Sequence, residues 1–423
     1  MSERGFAPST ARPIRVALLA GSPMYYQVPL YRRLAREPKI EFTAIFCSNG
    51  GVRPHDAGYG SPVTWDADLL SGYKSLFLAR SSRNPIGGTF LTLRDFDVIG
   101  RIREGDYDVV WLHGYNYLTN QLAALTQIVR GKPLLFREEQ TLIHRRPLWK
   151  SAIKAVWLRT LFARGFAIYI GSQNKKWFQS FGVPESRMFF VPYAADNDLL
   201  QADADRFGPT RSALREAFNL PAEGVPVILF VGRLVAKKQP SLLLDAYAKV
   251  RRELPCALMI VGSGDLELSL REKVAREQIP DVHFAGFLNR TQISRAYVAA
   301  DIFVLPSREH ETWGMVVNEA MNFSLPIVVT DKVGCADDLV RDGENGFVVS
   351  SEDSSDLLDR LRQLIQTDEL RHRFGKMSRQ IVSRWTHEVA VSGVLGATEA
   401  AVGAQRWGTA SQSRSSMEER RLS

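Results

Sequence analysis

The chain has 423 residues, 45 % of them apolar and 24 % charged, which is enough for two or three globular domains whose cores need no covalent staples. Its three cysteines, Cys47, Cys256 and Cys335, are odd in number and far apart; this excludes a disulfide framework and paired zinc-ligand spacing and fits a reducing cytosol. The formal charge of +8 is uneven: residues 1–200 hold 26 basic and 16 acidic side chains, a net +10, and the remainder hold 28 and 30, a net −2. The first half is therefore the one suited to an anionic partner, whether phosphate, lipid head group or nucleic acid.

No apolar run reaches the ~18 residues of a membrane span. The N-terminus, MSERGFAPSTARPIRVALLAG, has no apolar region of secretory length behind its charges. Its first dozen residues read as a loose arm. Short apolar runs ending in Gly, Ser, His or Pro then mark strands. In the first half these are RVALLAG, EFTAIFCS, DVVWLHG, PLLFREE, FAIYIGS and MFFVPYA. In the second they are PVILFVGRL, ALMIVGSG, VHFAGFL, IFVLPS, PIVVTD and GFVVS. Helical patterns such as SLLLDAYAKVRREL and SDLLDRLRQLIQ lie between them. Wholly apolar strands alternating with helices predict parallel sheets covered on both faces, about six strands in each half. Residues 51–95, rich in Gly and Pro, break the alternation and read as a functional or mobile loop. The acidic run ADNDLLQADADRFGPTRS reads as a linker or rim helix.

The expected organisation is α/β: a doubly wound domain over residues 1–198, a second over 199–385, a helix over 386–402 and a polar, disordered tail over 403–423. Ligands of doubly wound sheets bind beyond the carboxyl ends of the strands. The cleft between the two domains is the expected site, and residues just after strands are its candidates.

Five such stretches stand out. VVWLHG ends in His113, which either touches a sugar or acceptor or satisfies backbone groups at the strand end. FREEQTLIHRRPLWKSAIKAVWLRTLFARG places Arg137, Glu138 and Glu139 after a strand; Arg146, Lys150 and Lys154 then recur every four residues, opposite Trp149, Ile153, Val156 and Trp157. That basic amphipathic helix either lies on an anionic membrane or packs its apolar side on its own sheet. GRLVAKKQP offers Gly232 for close approach to a ligand, Arg233 as a fork of donors, and Lys237 or Lys238 as a mobile charge, ahead of a helix N-terminus; it reads as a diphosphate clamp or as a solvated basic loop. VGSGDLE lacks the third Gly of a dinucleotide fingerprint, so Gly262 and Gly264 read as a tight turn. PSREHETWGMVVNEAM separates Glu311 and Glu319 by seven residues. Glu311 falls in a loop with Trp313 and Gly314, Glu319 early in a helix starting near Met315, where carboxylates suit sugar hydroxyls. The Asp-x-Asp pairs, such as Asp66 with Asp68 and Asp106 with Asp108, open no site after a strand and read as chance rather than as metal ligands.

From about Pro226 to Ser350 these motifs, in this order, resemble the C-terminal domain of the family 4 glycosyltransferases, which have the GT-B fold. The first half resembles them more loosely, through SPMYYQVPLYRRLA, VVWLHG, FREEQ and VPYAADND. The variant is similar to transferases that build bacterial surface polysaccharides. The resemblance implies retaining, metal-independent sugar transfer from a nucleotide-diphosphate sugar, with no cofactor. It implies Arg233 and Lys238 at the diphosphate, with Lys237 as the alternate lysine; Glu311 at the donor sugar; Glu319 at the ribose; Gly286 and Phe287 at the base; and His113 beside the reacting carbon. Gly232, Trp313 and Gly314 would complete the donor site. It also implies a C-terminal helix that crosses back to the first domain. Two departures stand out. The loop AGSPMYY has a single Gly21 where many members have a glycine pair. Ser324 stands at a helix end where the family has Gly, which is favoured there for its left-handed conformation.

The basic first half, its irregular loop and its basic helix suit a glycan or lipid-linked diphosphate acceptor and an anionic membrane surface. The implied location is cytoplasmic, peripheral at the inner face of the plasma membrane. A nucleotide-sugar epimerase of the same architecture and a non-catalytic nucleotide-sugar-binding protein are the alternatives. A phosphorylase lacks its pyridoxal pattern here, and nucleic acid lacks a supporting signature.

Overall fold

The computed structural model describes residues 12–53, 65–84, 89–143, 148–309 and 311–422, with the backbone alone at 148–154 and 406–422. Seven strands form the first sheet: β1 (Ile14–Ala20), β2 (Ile40–Phe46), β3 (Lys74–Phe77), β4 (Val109–His113), β5 (Leu134–Arg137), β6 (Gly165–Tyr169) and β7 (Met188–Phe190). They run parallel in the order β3-β2-β1-β4-β5-β6-β7. Six form the second: β8 (Val227–Val231), β9 (Ala257–Val261), β10 (Val282–Gly286), β11 (Ile302–Leu305), β12 (Ile327–Thr330) and β13 (Gly346–Val349). Their order is β10-β9-β8-β11-β12-β13, again all parallel. Each sheet reverses its winding once, between β1 and β4 and between β8 and β11, and these switch points are where such sheets open crevices.

Side chains alternate across each sheet with period two. In the first domain Leu19, Leu112 and Phe136 pack under Val98, Ala123 and Leu158, while Leu18, Trp111 and Ile168 face the opposite layer. That opposite layer includes a helix of another origin. His387–Leu422 runs back from the second domain and lays Ala390, Val394 and Ala397 on the first sheet. A Cβ on Gly393 would stand 2.0 Å from the Phe190 carbonyl oxygen, so this crossing requires glycine. The stretch 403–422, expected to be disordered, continues the helix to Leu422. The segment carries no proline, and once a helix is nucleated each further residue adds a backbone hydrogen bond at little cost.

Two further differences from the sequence reading are local. β3 lies inside the stretch read as irregular; four residues, Lys-Ser-Leu-Phe, are too few to show a period. The boundary expected at 198–199 falls in the first turn of the helix Asn197–Phe207, which packs on the second domain's helices Arg290–Ala299 and Met315–Asn322. Buried amides seal this junction: Asn322 Nδ2 donates to Asn197 Oδ1 at 2.9 Å, and Asn318 Nδ2 donates to the Tyr193 carbonyl at 3.2 Å. Ser324 does adopt the left-handed conformation, at φ 55°.

Candidate active site

The floor of the cleft is built where β8, β9 and β10 end. The Gly232 amide donates to Val261 O at 3.0 Å, and the Gly262 amide donates to Gly286 O at 2.7 Å. A Cβ on Gly262 would lie 2.0 Å from Gly232 O, and one on Gly264 would lie 2.7 Å from Leu234 O. The VGSGD glycines therefore let two strand-end loops pack backbone to backbone, a demand stronger than the tight turn read from sequence.

A pocket opens over this floor. Val231, Val261, Leu288, Ile293 and Val316 line it with hydrocarbon, Phe287 with an aromatic ring, and Tyr25 and Trp65 close it from the first domain. Glu319 stands on its wall, buried on the helix Met315–Asn322. Its Oε2 accepts a hydrogen bond of 2.8 Å from Tyr297, and Tyr25 donates to the same carboxylate across the cleft. Burial raises the Glu319 pKa above the usual carboxylate value; the hydrogen bonds from Tyr297 and Tyr25 and the nearby Arg290 charge oppose that rise without cancelling it.

Beyond Gly232 the lining becomes ionic. The Lys238 stem passes 3.9 Å from the Gly232 Cβ position, and its ammonium pairs with Glu311. Ser307 Oγ donates to the same Glu311 oxygen at 3.1 Å. The Glu311 backbone is strapped to the loop after β12, where Gly334 N donates to Glu311 O at 2.9 Å. Lys237, in the same 3₁₀ turn as Lys238, has its pKa lowered by burial and by the neighbouring Arg233 charge. The three cations of this loop stand against two carboxylates, Glu311 and Glu309, and the excess of positive charge suits an anion.

Of the residues singled out from sequence, Gly232, Phe287 and Glu319 line the pocket, and Lys238 and Glu311 adjoin it as a pair. Gly286 ends β10 at φ 68° with nothing within 4 Å of its Cβ position. Gly21 follows β1, also with nothing within 4 Å of its Cβ position. Gly314 caps the helix bearing Glu319 at φ 101°.

Trp313 is not brought to the pocket. It is buried, gives its indole N–H to Asn318 Oδ1 at 2.8 Å, and packs its ring against Tyr193 and Trp385. The strap from Cys335 N to Trp313 O at 3.0 Å fixes that loop. Two residues from Glu311, the Trp313 ring thus turns into the core instead of lining the pocket.

His113 stands in a separate small cavity with Arg137, Tyr193 and His387. It meets Glu139 at 3.0 Å, and Tyr193 donates to the same carboxylate. Burial alone would raise the Glu139 pKa, but the His113 contact and the Arg137 charge hold it below its usual value. Arg146 lies outside the described residues. Lys150 and Lys154 lie in the first turns of the helix Leu148–Phe162, where the backbone alone is described. That helix packs Leu158, Leu161 and Phe162 inward and leaves Val156 67 % and Trp157 51 % exposed. Val156 and Trp157, read from sequence as part of the packing side, therefore do not pack on the sheet.

Sequence reasoning missed Tyr25, Trp65, Tyr297 and Arg290, all of which act by partnership across loops or domains; Glu139 was noted after its strand, but not its pairing with His113.

Residues 213–381 match the family model described as glycosyl transferases group 1. Among curated proteins, the chain is 30 % identical over 196 residues to an alpha-D-kanosaminyltransferase of Streptomyces kanamyceticus, covering 46 % of this chain and 49 % of that one. It is 33 % identical over 173 residues to a phosphatidyl-myo-inositol mannosyltransferase of Mycobacterium leprae, covering 40 % and 45 %. The chain thus spans about half the length of these curated relatives. Among solved structures, a glycosyltransferase from Rickettsia africae superposes with TM-score 0.72 at 13 % identity, covering 93 % of this chain and 99 % of that one. HepE from Anabaena, in complex with UDP and glucose, superposes with TM-score 0.66 at 16 % identity, covering 90 % and 98 %. The chain has the GT-B fold, and its residues 213–381 match the glycosyl transferases group 1.

Proposed function

We propose that the protein moves a sugar, with retention and without a metal, from a nucleotide-diphosphate donor held in the C-terminal half of the cleft to an acceptor on the N-terminal domain. The observation that carries this reading is one pocket that joins apolar and aromatic walls to the buried Glu319 carboxylate, with the Lys238–Glu311 pair, Arg233 and Lys237 adjoining it beyond Gly232. A nucleobase, a ribose and a diphosphate present the same three chemistries. Breaking the bond between the sugar and the diphosphate leaves negative charge on the leaving group, and Arg233 and Lys238 are the groups to receive it. Glu311, held by Ser307 and Lys238, is oriented for the donor sugar. His113 faces Glu139 rather than the nucleotide pocket, so its role would lie at the acceptor or the transferred sugar. HepE's complex with UDP and glucose supports the donor class.

The acceptor in this reading is a lipid-linked or polysaccharide glycan of the bacterial surface, met at the inner face of the plasma membrane. The first half's net +10 and the exposed Val156 and Trp157 support that surface. Among the described residues no helix is long and apolar enough to cross a membrane. Flotation with vesicles of anionic lipid tests the contact: binding at low salt should weaken in Trp157→Ala, and equal binding by both proteins would contradict it.

The transfer itself is tested with a panel of nucleotide sugars and lipid-linked acceptors, following nucleoside diphosphate release and the anomeric configuration of the product. Release that requires acceptor, with configuration kept, is expected. An isomerised donor formed without acceptor would make the protein an epimerase, and nucleotide binding with no turnover would make it a binding protein.

A further inference from the structure

The pocket wall facing the C-terminal domain is foreign to that domain. Trp65 sits between two rings: Tyr25 at 4.6 Å between centroids, tilted by 39°, and Phe287 of the other domain at 6.0 Å and 62°. The next residue anchors it. Asp66 Oδ2 accepts from Thr291 N at 3.1 Å and from the Thr291 hydroxyl, while the Asp66 amide donates to Asn289 Oδ1 at 3.3 Å. Asp66 therefore sits on the N-terminus of the helix Arg290–Ala299 of the opposite domain, where a carboxylate is favoured by the unpaired amides and the helix dipole. Asp68 and Arg32 tie the same turn back to the first domain, with Arg32 Nη2 donating to Asp68 O at 2.7 Å. A short turn of the N-terminal domain is thus clasped across the cleft at the apolar end of the pocket.

We propose that Trp65 is a base-stacking residue of the donor site: it provides an aromatic face for the nucleobase, and the Asp66 clasp holds it there. This rests on the donor reading above. The chemistry of the wall supports it. The C-terminal side supplies aliphatic side chains and one aromatic edge, which fix a flat ligand weakly. A planar ring from the opposite side completes a slot, and stacking on an indole accepts any base while gripping larger ring systems more strongly. Donor binding then uses both domains at the base end as well as at the sugar end, so release of the nucleotide requires the clasp to let go.

The test compares wild type, Trp65→Ala, Trp65→Phe and Asp66→Ala. Each is checked for folding by thermal unfolding and titrated with UDP, GDP, ADP and dTDP, with inorganic pyrophosphate as competitor. Loss of one stacking face should weaken the preferred nucleotide about ten-fold in Trp65→Ala. Trp65→Phe should retain most of the affinity, Asp66→Ala should fall between, and competition by pyrophosphate should stay unchanged. Wild type that binds nucleotide as tightly as Trp65→Ala would overturn the inference and leave the donor reading standing, as would a loss in Trp65→Ala that extends equally to pyrophosphate. Wild type that binds none of the four would overturn the donor reading, and this inference with it.

Discussion

Tyr25 of the N-terminal domain gives its phenolic hydrogen bond to the carboxylate of Glu319 in the C-terminal domain, the group set to receive ribose hydroxyls in the donor reading. The pair joins the two halves of the cleft through one buried acceptor. It also makes Glu319 costly to the ligand-free protein. Its folded pKa is raised, so as pH rises the unfolded chain loses this proton first. Stability declines from the ordinary carboxylate value up to the folded one and stays reduced above it. Glu319→Gln should therefore stabilise the protein at pH 7, by about 1 kcal/mol, with no gain near pH 4. It should weaken nucleoside diphosphate binding about ten- to a hundred-fold, the usual worth of a charged hydrogen bond. Thermal unfolding at the two pH values, beside a binding titration, checks both signs.

Lys238 and Glu311 are largely withdrawn from water, each with 14 % of its side chain exposed. Removing one partner strands the other. Lys238→Ala should lower kcat/KM about 10²- to 10³-fold, as loss of a group facing developing charge does, and should lower Tm as well. The double change Lys238→Met with Glu311→Leu should recover the Tm but none of the activity. Recovery of activity in the double variant would remove the pair from the chemistry.

His387 begins the helix that returns to the first domain, and its pKa is lowered to about 4 by burial and by the Arg33 charge; Glu388 and Asp198 act against that and fall short. A histidine kept neutral by the fold contributes stability above its unfolded value of about 6.5, and that stability is lost as pH falls through the folded value. The loss across that window totals on the order of 3 kcal/mol. Urea unfolding from pH 7.5 to 4 should show wild type losing stability relative to His387→Gln over that window. A constant difference would show that the returning helix is not the acid-sensitive joint.

Ser324 holds φ 55° at the end of the Glu319 helix. A left-handed residue with a Cβ is strained where glycine is not, so Ser324→Gly should raise stability by about 0.5–1 kcal/mol. Nucleotide affinity should stay unchanged, since the residue lies away from the pocket.

The second domain was the more legible in sequence. Five of its six strands are apolar runs closed by Gly, Pro or Ser, and the order of strand, loop and helix places Glu311 and Glu319 with no further information. β3 escaped because it is short and sits among Gly and Pro. Trp313 was misplaced because a strap from Cys335 turns its loop into the core, and no local pattern records that. Tyr25, Trp65 and Tyr297 carry no motif: each matters through a partner more than twenty residues away, brought near only when helices and domains pack. The first half's charge was visible, but its pairing was not. Arg33 with Glu388 and Lys39 with Glu399, acids of the returning helix, neutralise part of an excess that composition alone offers whole to a partner.

The central claim is that the cleft holds a nucleoside diphosphate with its base in the apolar pocket and its phosphates at Arg233 and Lys238. Thermal unfolding with UDP, GDP, ADP and dTDP, run on wild type, Arg233→Ala and Glu319→Ala, tests it most directly. Ligand at a hundred times its dissociation constant stabilises by about 2.7 kcal/mol, an ample shift to read. The account predicts that one base stabilises wild type clearly more than the others and that both variants lose the shift. No shift with any of the four, or an equal shift in all three proteins, would contradict it.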